Sequence, residues 1–170
     1  NFKFNLNACD QETWYGFFGT NGSYSPSKDN DWICEPALSN RNFTLGLSYA
    51  LDRKSFAESK GVFASNDFFS PNYESDPVNG IYYKDSQEHK DAVSFLNAGT
   101  DGTGYNLEMA RDYFRMALEE LESDGYYTPG TASNPTVIEI EIAWMFPKHE
   151  TLYHNDIKKY FEDAFNNASV

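Results

Sequence analysis

The chain has 170 residues, with 26 acidic against 13 basic side chains and a formal net charge of -13. So acidic a chain has little with which to neutralise a phosphate backbone or an anionic bilayer, which excludes nucleic acid and anionic membrane surfaces as its main partners. A hydrophobic content of 40%, an aromatic content of 17% and a mean hydropathy of -0.64 fit one globular domain over residues 1–170, with a core that needs no metal.

The sequence opens on FKFNLN rather than on a signal-peptide pattern, which fits either a piece of a longer chain or a cytosolic protein. No apolar run approaches about 20 residues, so no membrane-spanning helix is expected. Phe2, Phe4 and Leu6 alternate with Lys3, Asn5 and Asn7, the period of a half-buried strand. Asp10 can cap a short helix that ends at Gly19, and Gly, Ser, Asn, Asp and Pro then dominate as far as Pro36. So long a loop suggests function or a covalent tether. Cys9 and Cys34 bracket it, and a bridge between them would close a loop of about 25 residues, stabilising the fold by about 3 kcal/mol. Two unpaired thiols are the alternative. Neither cysteine has the spacing of a zinc or thioredoxin-type motif.

Phe43, Leu47, Ala50 and Leu51 recur at the spacing of one buried helical face. Asp52 follows where a second helix must begin, and its carboxylate can cap Lys54 or Ser55, with Gly61 closing that helix. Residues Val62 to Lys84 read as an irregular region whose aromatic residues, Phe68, Phe69 and Tyr73, tuck under the domain as anchors. Asp85 with Glu88 reads as an Asp version of the capping box, followed by an apolar face of Ala92, Val93, Phe95 and Leu96 and a stop at Gly99.

GTDGTGYN, residues 99–106, invites a phosphate-loop reading because a helix follows it. No strand precedes it, however, no Lys-Ser/Thr pair follows its last glycine, and Asp101 would repel a phosphate. It reads as a flexible link into an Asn106-capped helix with Leu107, Ala110, Phe114, Ala117, Leu118 and Leu121 on one stripe, stopped by Gly125. Ile138, Ile140, Ile142 and Trp144 then alternate with Glu139, Glu141 and Ala143, a strand over Val137–Phe146 ended by Pro147. A final helix carries Ile157, Tyr160, Phe161, Ala164 and Phe165 on one side. The fold class is α/β, with α+β as the alternative: a small mixed sheet built on Phe2–Asn7 and Val137–Phe146, with amphipathic helices against it.

Motifs for catalysis or metal binding are missing from the pattern. His149 and His154 in HETLYH are five residues apart, about 140° out of register on a helix, whereas the zinc motif HExxH needs four. The Asp29, Asn30, Asp31 cluster lacks the ligand spacing and distal Glu of a calcium loop. The sequence has no Gly-x-Ser-x-Gly elbow, and no carboxylate pair is marked by an apolar setting. The expectation is a non-enzymatic protein with no cofactor and no metal.

A resemblance adds to this reading. NFTLGLSYALDRKSFAES (42–59) is similar to the VRQALSYAIDRE segment of the extracellular solute-binding proteins of peptide ABC importers, the oligopeptide- and dipeptide-binding family 5 type. FKFNLNACD (2–10) resembles that family's strand leaving the hinge. YNLEMARDYFRMALEELESDGYY (105–127) resembles its YDPEKAKELLKEAGY helix, and TVIEIEIAW and IKKYFEDAFN resemble the strand and helix that follow. Order and spacing agree from residue 2 to about residue 167.

The resemblance implies one lobe of a periplasmic-binding-protein-like fold, corresponding to part of the second lobe. The first lobe, a secretion or lipoprotein signal and the family's ligand-contacting turn after the last helix have no counterpart here. In that family two lobes close on a peptide or other small solute and deliver it to a membrane permease. The implied setting is extracellular, as a bacterial cell-surface lipoprotein or periplasmic protein, with the remaining lobe as a further partner. Ligand contacts are expected from Asn5, Asn7, Tyr73, Trp144 and Phe146, whose amides and ring faces suit a peptide. Two other classes remain: an extracellular polymer hydrolase, which would need two carboxylates at glycosidase separation, and a cell-surface interaction module acting through the Gly19–Pro36 loop.

Overall fold

Asn106 opens the strongest stripe of the chain as its spacing predicts. The computed structural model describes residues 35–64, 70, 72–128, 130–131, 133–140, 142, 144 and 146–168. In it the Asn106 side-chain oxygen accepts the Met109 N–H at 3.0 Å, and helix α5 runs Leu107–Ser123 behind that cap. Gly125, at φ +78, lets the chain turn back: its N–H reaches the Glu122 carbonyl while the Tyr126 N–H reaches that of Leu121. That pair of bonds satisfies carbonyls the helix end would otherwise leave bare.

A single turn, α1 (Pro36–Ser39), leads into α2 (Arg41–Ala50), whose N-cap Asn40 accepts from Phe43 N–H at 2.9 Å. Helix α2 makes its main contact along α5. Gly46 permits the close crossing, because a Cβ there would stand 2.6 Å from the Phe114 ring. Phe114, fully buried, meets Phe43 at 5.3 Å and Phe165 at 5.4 Å between ring centroids, and Phe43 and Phe165 close the triangle at 6.1 Å. Phe165 belongs to α6 (Pro147–Phe165), which adds buried Ile157, Phe161 and Ala164 to the same core. Arg115 of α5 ties down the end of that helix by donating to the Ala168 carbonyl at 3.3 Å.

The joint after α2 serves two helices at once. The Asp52 carboxylate accepts the Ser55 N–H at 2.9 Å and caps α3 (Arg53–Ser59), which Gly61 terminates at φ +68. Arg53 turns the other way, donating to the Ser48 carbonyl at 2.9 Å and to that of Leu51 at 3.3 Å, so it covers the C-terminal end of α2. The Tyr49 carbonyl takes the Asn106 N–H, which pins the start of α5 to the same joint. The loop 99–106 is therefore a bonded turn rather than a flexible link. Asp101 Oδ1 accepts from the Thr103 and Tyr105 N–H groups, and Asn106 Nδ2 donates to the Gly99 carbonyl.

The sheet differs from the one expected. Its strands are β1 (Glu74–Asp76) and β2 (Ile81–Tyr82), an antiparallel hairpin inside the stretch read as irregular. Phe2–Asn7 lies outside the described residues. Among the described residues of 137–146 no strand forms, although the alternation holds in burial: Ile138, Ile140, Ile142 and Trp144 pack on the core while Val137 and Glu139 are exposed. A strand needs a neighbour to pair with, and the side chains here rest on helices instead. Among the described residues the architecture is mixed, mostly helical with one small antiparallel sheet.

After the hairpin, a 3-10 turn (Tyr83–Asp85) leads into α4 (Gln87–Leu96). The cap of α4 is Ser86, which accepts the His89 N–H at 3.2 Å, and not Asp85, because the 3-10 turn takes Asp85 up. Asn97 ends the helix two residues before Gly99. The expected apolar face is not buried either, since Ala92 is exposed and Phe95 is 83% exposed. Among the described residues, the two strands pack on each other and the 3-10 turn on α4, with Tyr83 joining Tyr73 to His89, as an arm beside the core.

Candidate functional site

Pro147 occupies the first turn of α6, where its missing N–H costs nothing, and so fixes where the helix begins. Phe146 precedes it with an extended backbone, its ring 5.1 Å from that of His149 at 82°. His149 and Tyr153 are four residues apart, one above the other on the helix, with centroids at 5.5 Å. Tyr153 then meets Phe56 of α3 at 5.6 Å, edge to face, and Trp144 at 6.4 Å. Trp144 also reaches His154 at 6.2 Å. The result is a continuous wall of rings along the first half of α6.

A charge pair closes one end of this wall. Lys60 Nζ lies 2.7 Å from Asp156 Oδ2 and stands 5.7 Å and 5.8 Å from the ring centroids of Phe56 and Tyr153. The pair is partly exposed, so it contributes only about 0–1 kcal/mol, and its main effect is to fix α3 against α6. Phe146 is 53% exposed while Trp144, His149, Tyr153 and His154 are half-buried, which anchors the wall on one side and opens it on the other. His154 Nδ1 is buried with no hydrogen-bond partner among the described residues. Chemically, such a surface offers apolar contact and ring edges for a chain of varied side chains.

Two neighbouring regions have different characters. Around the Asp52 joint, burial raises the Tyr105 and Tyr160 hydroxyls above the usual phenol range, and the Asp52 charge adds to it. Burial also lowers the Arg53 guanidinium, which the Asp101 charge opposes. A shallow open depression is lined by Asn40, Glu119, Glu120, Ser123 and Asp124. There Glu120 accepts from both Asn40 and Asn42 at 2.8 Å, a clamp across the α2–α5 crossing. Among the described residues no group of three or more His, Cys, Asp or Glu side chains is arranged to hold a metal.

Of the expected contact residues, Trp144 and Phe146 fall on the ring wall. Tyr73 does not tuck under the domain. It sits at the hairpin, 53% exposed, with its ring 6.2 Å from Tyr83. Asn5, Asn7, Cys9 and Cys34, with Phe68 and Phe69, lie outside the described residues. Sequence reasoning missed Phe56, Lys60, His149 and Tyr153. The signal for the last two was there in their spacing of four behind Phe146-Pro147, but His149 was weighed only with His154, as a zinc motif, and set aside with it. Comparison of the chain with family models, with curated proteins and with solved structures gives no match.

Proposed function

We propose that the chain forms one lobe of an extracellular solute-binding protein, non-catalytic, that takes up an oligopeptide or similar small solute for an ABC importer. The observation that carries the proposal is the ring wall: Trp144 and Phe146, contact residues under that reading, stand together with His149 and Tyr153 on one open surface. The joint at Ser48–Arg53 supports it as well. The SYALDR stretch on which the family resemblance rests folds as a unit that caps one helix with Asp52 and covers another with Arg53. Under this reading the remaining lobe supplies the opposite wall, and a membrane permease receives the loaded protein at the cell surface or in the periplasm.

A single wall cannot enclose a ligand as a closed pocket does. Losing about half of the roughly 8 kcal/mol of a micromolar complex leaves millimolar binding. Titration of the labelled chain with a short-peptide library, followed by NMR, is expected to shift the Trp144 indole N–H at millimolar peptide, and Phe146→Ala, which keeps that reporter and removes the most exposed ring of the wall, should weaken the response. No shift at about 10 mM would contradict solute binding at this wall, and saturation in the micromolar range would show a self-sufficient binding module instead.

A further inference from the structure

The tip of the hairpin holds a chemically reactive pair under restraint. Asn79 and Gly80 follow Pro77 and Val78 between β1 and β2, and Gly80 takes φ +67. Gly80 is exposed, has no side chain to hinder attack by its nitrogen, and has nothing beyond its chain neighbours within 4 Å of where its Cβ would be. The Asn79 carboxamide, however, is held by Asp76. Its Nδ2 donates to Asp76 Oδ2 at 2.6 Å, while Asp76 Oδ1 accepts the N–H groups of Val78 at 3.1 Å and Asn79 at 3.2 Å.

We propose that Asn79–Gly80 is a deamidation site and that Asp76 guards it by holding the Asn79 amide back from the Gly80 nitrogen. In the reaction the Gly80 nitrogen, its proton taken by solvent base, attacks Asn79 Cγ. The Cγ–Nδ2 bond breaks, and the amide leaves as ammonia with a proton returned to it. Water then opens the resulting succinimide at either carbonyl, giving aspartate or isoaspartate at position 79. While the clamp holds, Cγ is drawn toward residue 76, and ring closure must first break a hydrogen bond to a carboxylate. Those same bonds, from the Asn79 side chain first, keep the Asp76 carboxyl below the usual carboxylate range, so the guard stays ionised at neutral pH.

The consequence is one-way. Deamidation removes the donor that Asp76 accepts and places a second carboxylate against it, so a turn that had been clamped becomes repelled. Below the turn, the Tyr83 N–H donates to the Tyr73 carbonyl at 2.9 Å and Ser75 Oγ to the Ile81 carbonyl at 3.3 Å, while the register is already irregular between Glu74 and Asp76.

The test is peptide mapping of the whole chain by mass spectrometry that resolves isoaspartate, after incubation in mildly alkaline buffer. Asn21–Gly22, the other Asn-Gly pair of the sequence, serves as internal reference. Folded protein is expected to deamidate at Asn79 about tenfold or more slowly than the same chain in urea, the scale of one hydrogen bond to a charged group. Asp76→Ala should bring the folded rate close to the urea rate while the reference is unchanged, and Asp76→Asn, which keeps an accepting oxygen, should fall between. Ser75→Ala loosens the hairpin without touching the clamp and should stay near the wild-type rate. Equal rates in buffer and urea, an unchanged rate in Asp76→Ala, or a Ser75→Ala rate as high as that of Asp76→Ala would each overturn the proposal.

Discussion

Helices α4 and α5 begin alike and end differently. Each has a polar N-cap, Ser86 or Asn106, each carries acidic residues in its early turns, and each shows a helical apolar spacing. Helix α5 buries Ala110, Phe114, Ala117 and Leu121 under α2 and α6, whereas α4 buries no residue and leaves Phe95 83% exposed. Spacing nominates a face, but the stability of a short helix comes mostly from what that face packs against. Gly46 on α2 lets a neighbour close over Phe114, while α4 packs on a 3-10 turn of three residues. The ring wall stands on the core side of this divide, through Phe56 and Tyr153, and Tyr73 on the arm.

Several changes would break or sharpen that contrast. The largest effect is expected from Phe114→Ala, which empties the centre of the ring triangle and should cost about 3–5 kcal/mol, read as a fall in denaturant midpoint. Gly46→Ala gains about 1 kcal/mol of helix propensity but forces a methyl into a fully buried ring, so a net loss of up to about 2 kcal/mol is expected. Asp52→Ala removes the α3 cap and should lower stability by about 1 kcal/mol in thermal melts.

Smaller still is a pH effect at Asp101. Burial would raise its carboxyl, yet the N–H and hydroxyl of Thr103, the N–H of Tyr105 and the Lys54 charge outweigh that and hold it below its ordinary value. Its contribution is therefore present above the unfolded value of about 3.9 and lost as pH falls through the lower folded one. Asp101→Asn should flatten that part of the acid limb in a pH series of melts. Phe95→Ala should change stability by less than about 0.5 kcal/mol, and a larger loss would mean that the face of α4 is packed after all.

The core was legible in the sequence because its signals are local and agree with one another. Asn106 and Asp52 cap the helices their positions imply, and the 3.6-residue stripes of α2, α5 and α6 bury most of the residues they nominate, with Leu107, Leu118, Tyr160 and Phe165 half-buried. The second half of the Asp52 joint was not legible. Arg53 covers the carbonyls of Ser48 and Leu51 only once the chain has turned, and a sequence does not show that turn. The hairpin carried an Asn-Gly signal, but its strands are three and two residues long, too short for any alternation to register. At α4 the expected cap, Asp85 with Glu88, lies one residue before the observed cap Ser86, because the 3-10 turn ahead takes Asp85 up. Along Val137–Phe146 the alternation reported correctly which side chains face the core and nothing about pairing.

The division between core and arm is open to one direct measurement, native-state hydrogen exchange resolved by residue across the whole chain. The amides of residues 111–123 in α5 and 45–50 in α2 should exchange last, at the rate of global unfolding, while those of residues 90–96 in α4 exchange through local opening well before them. Protection in α4 equal to that in α5 would contradict the account.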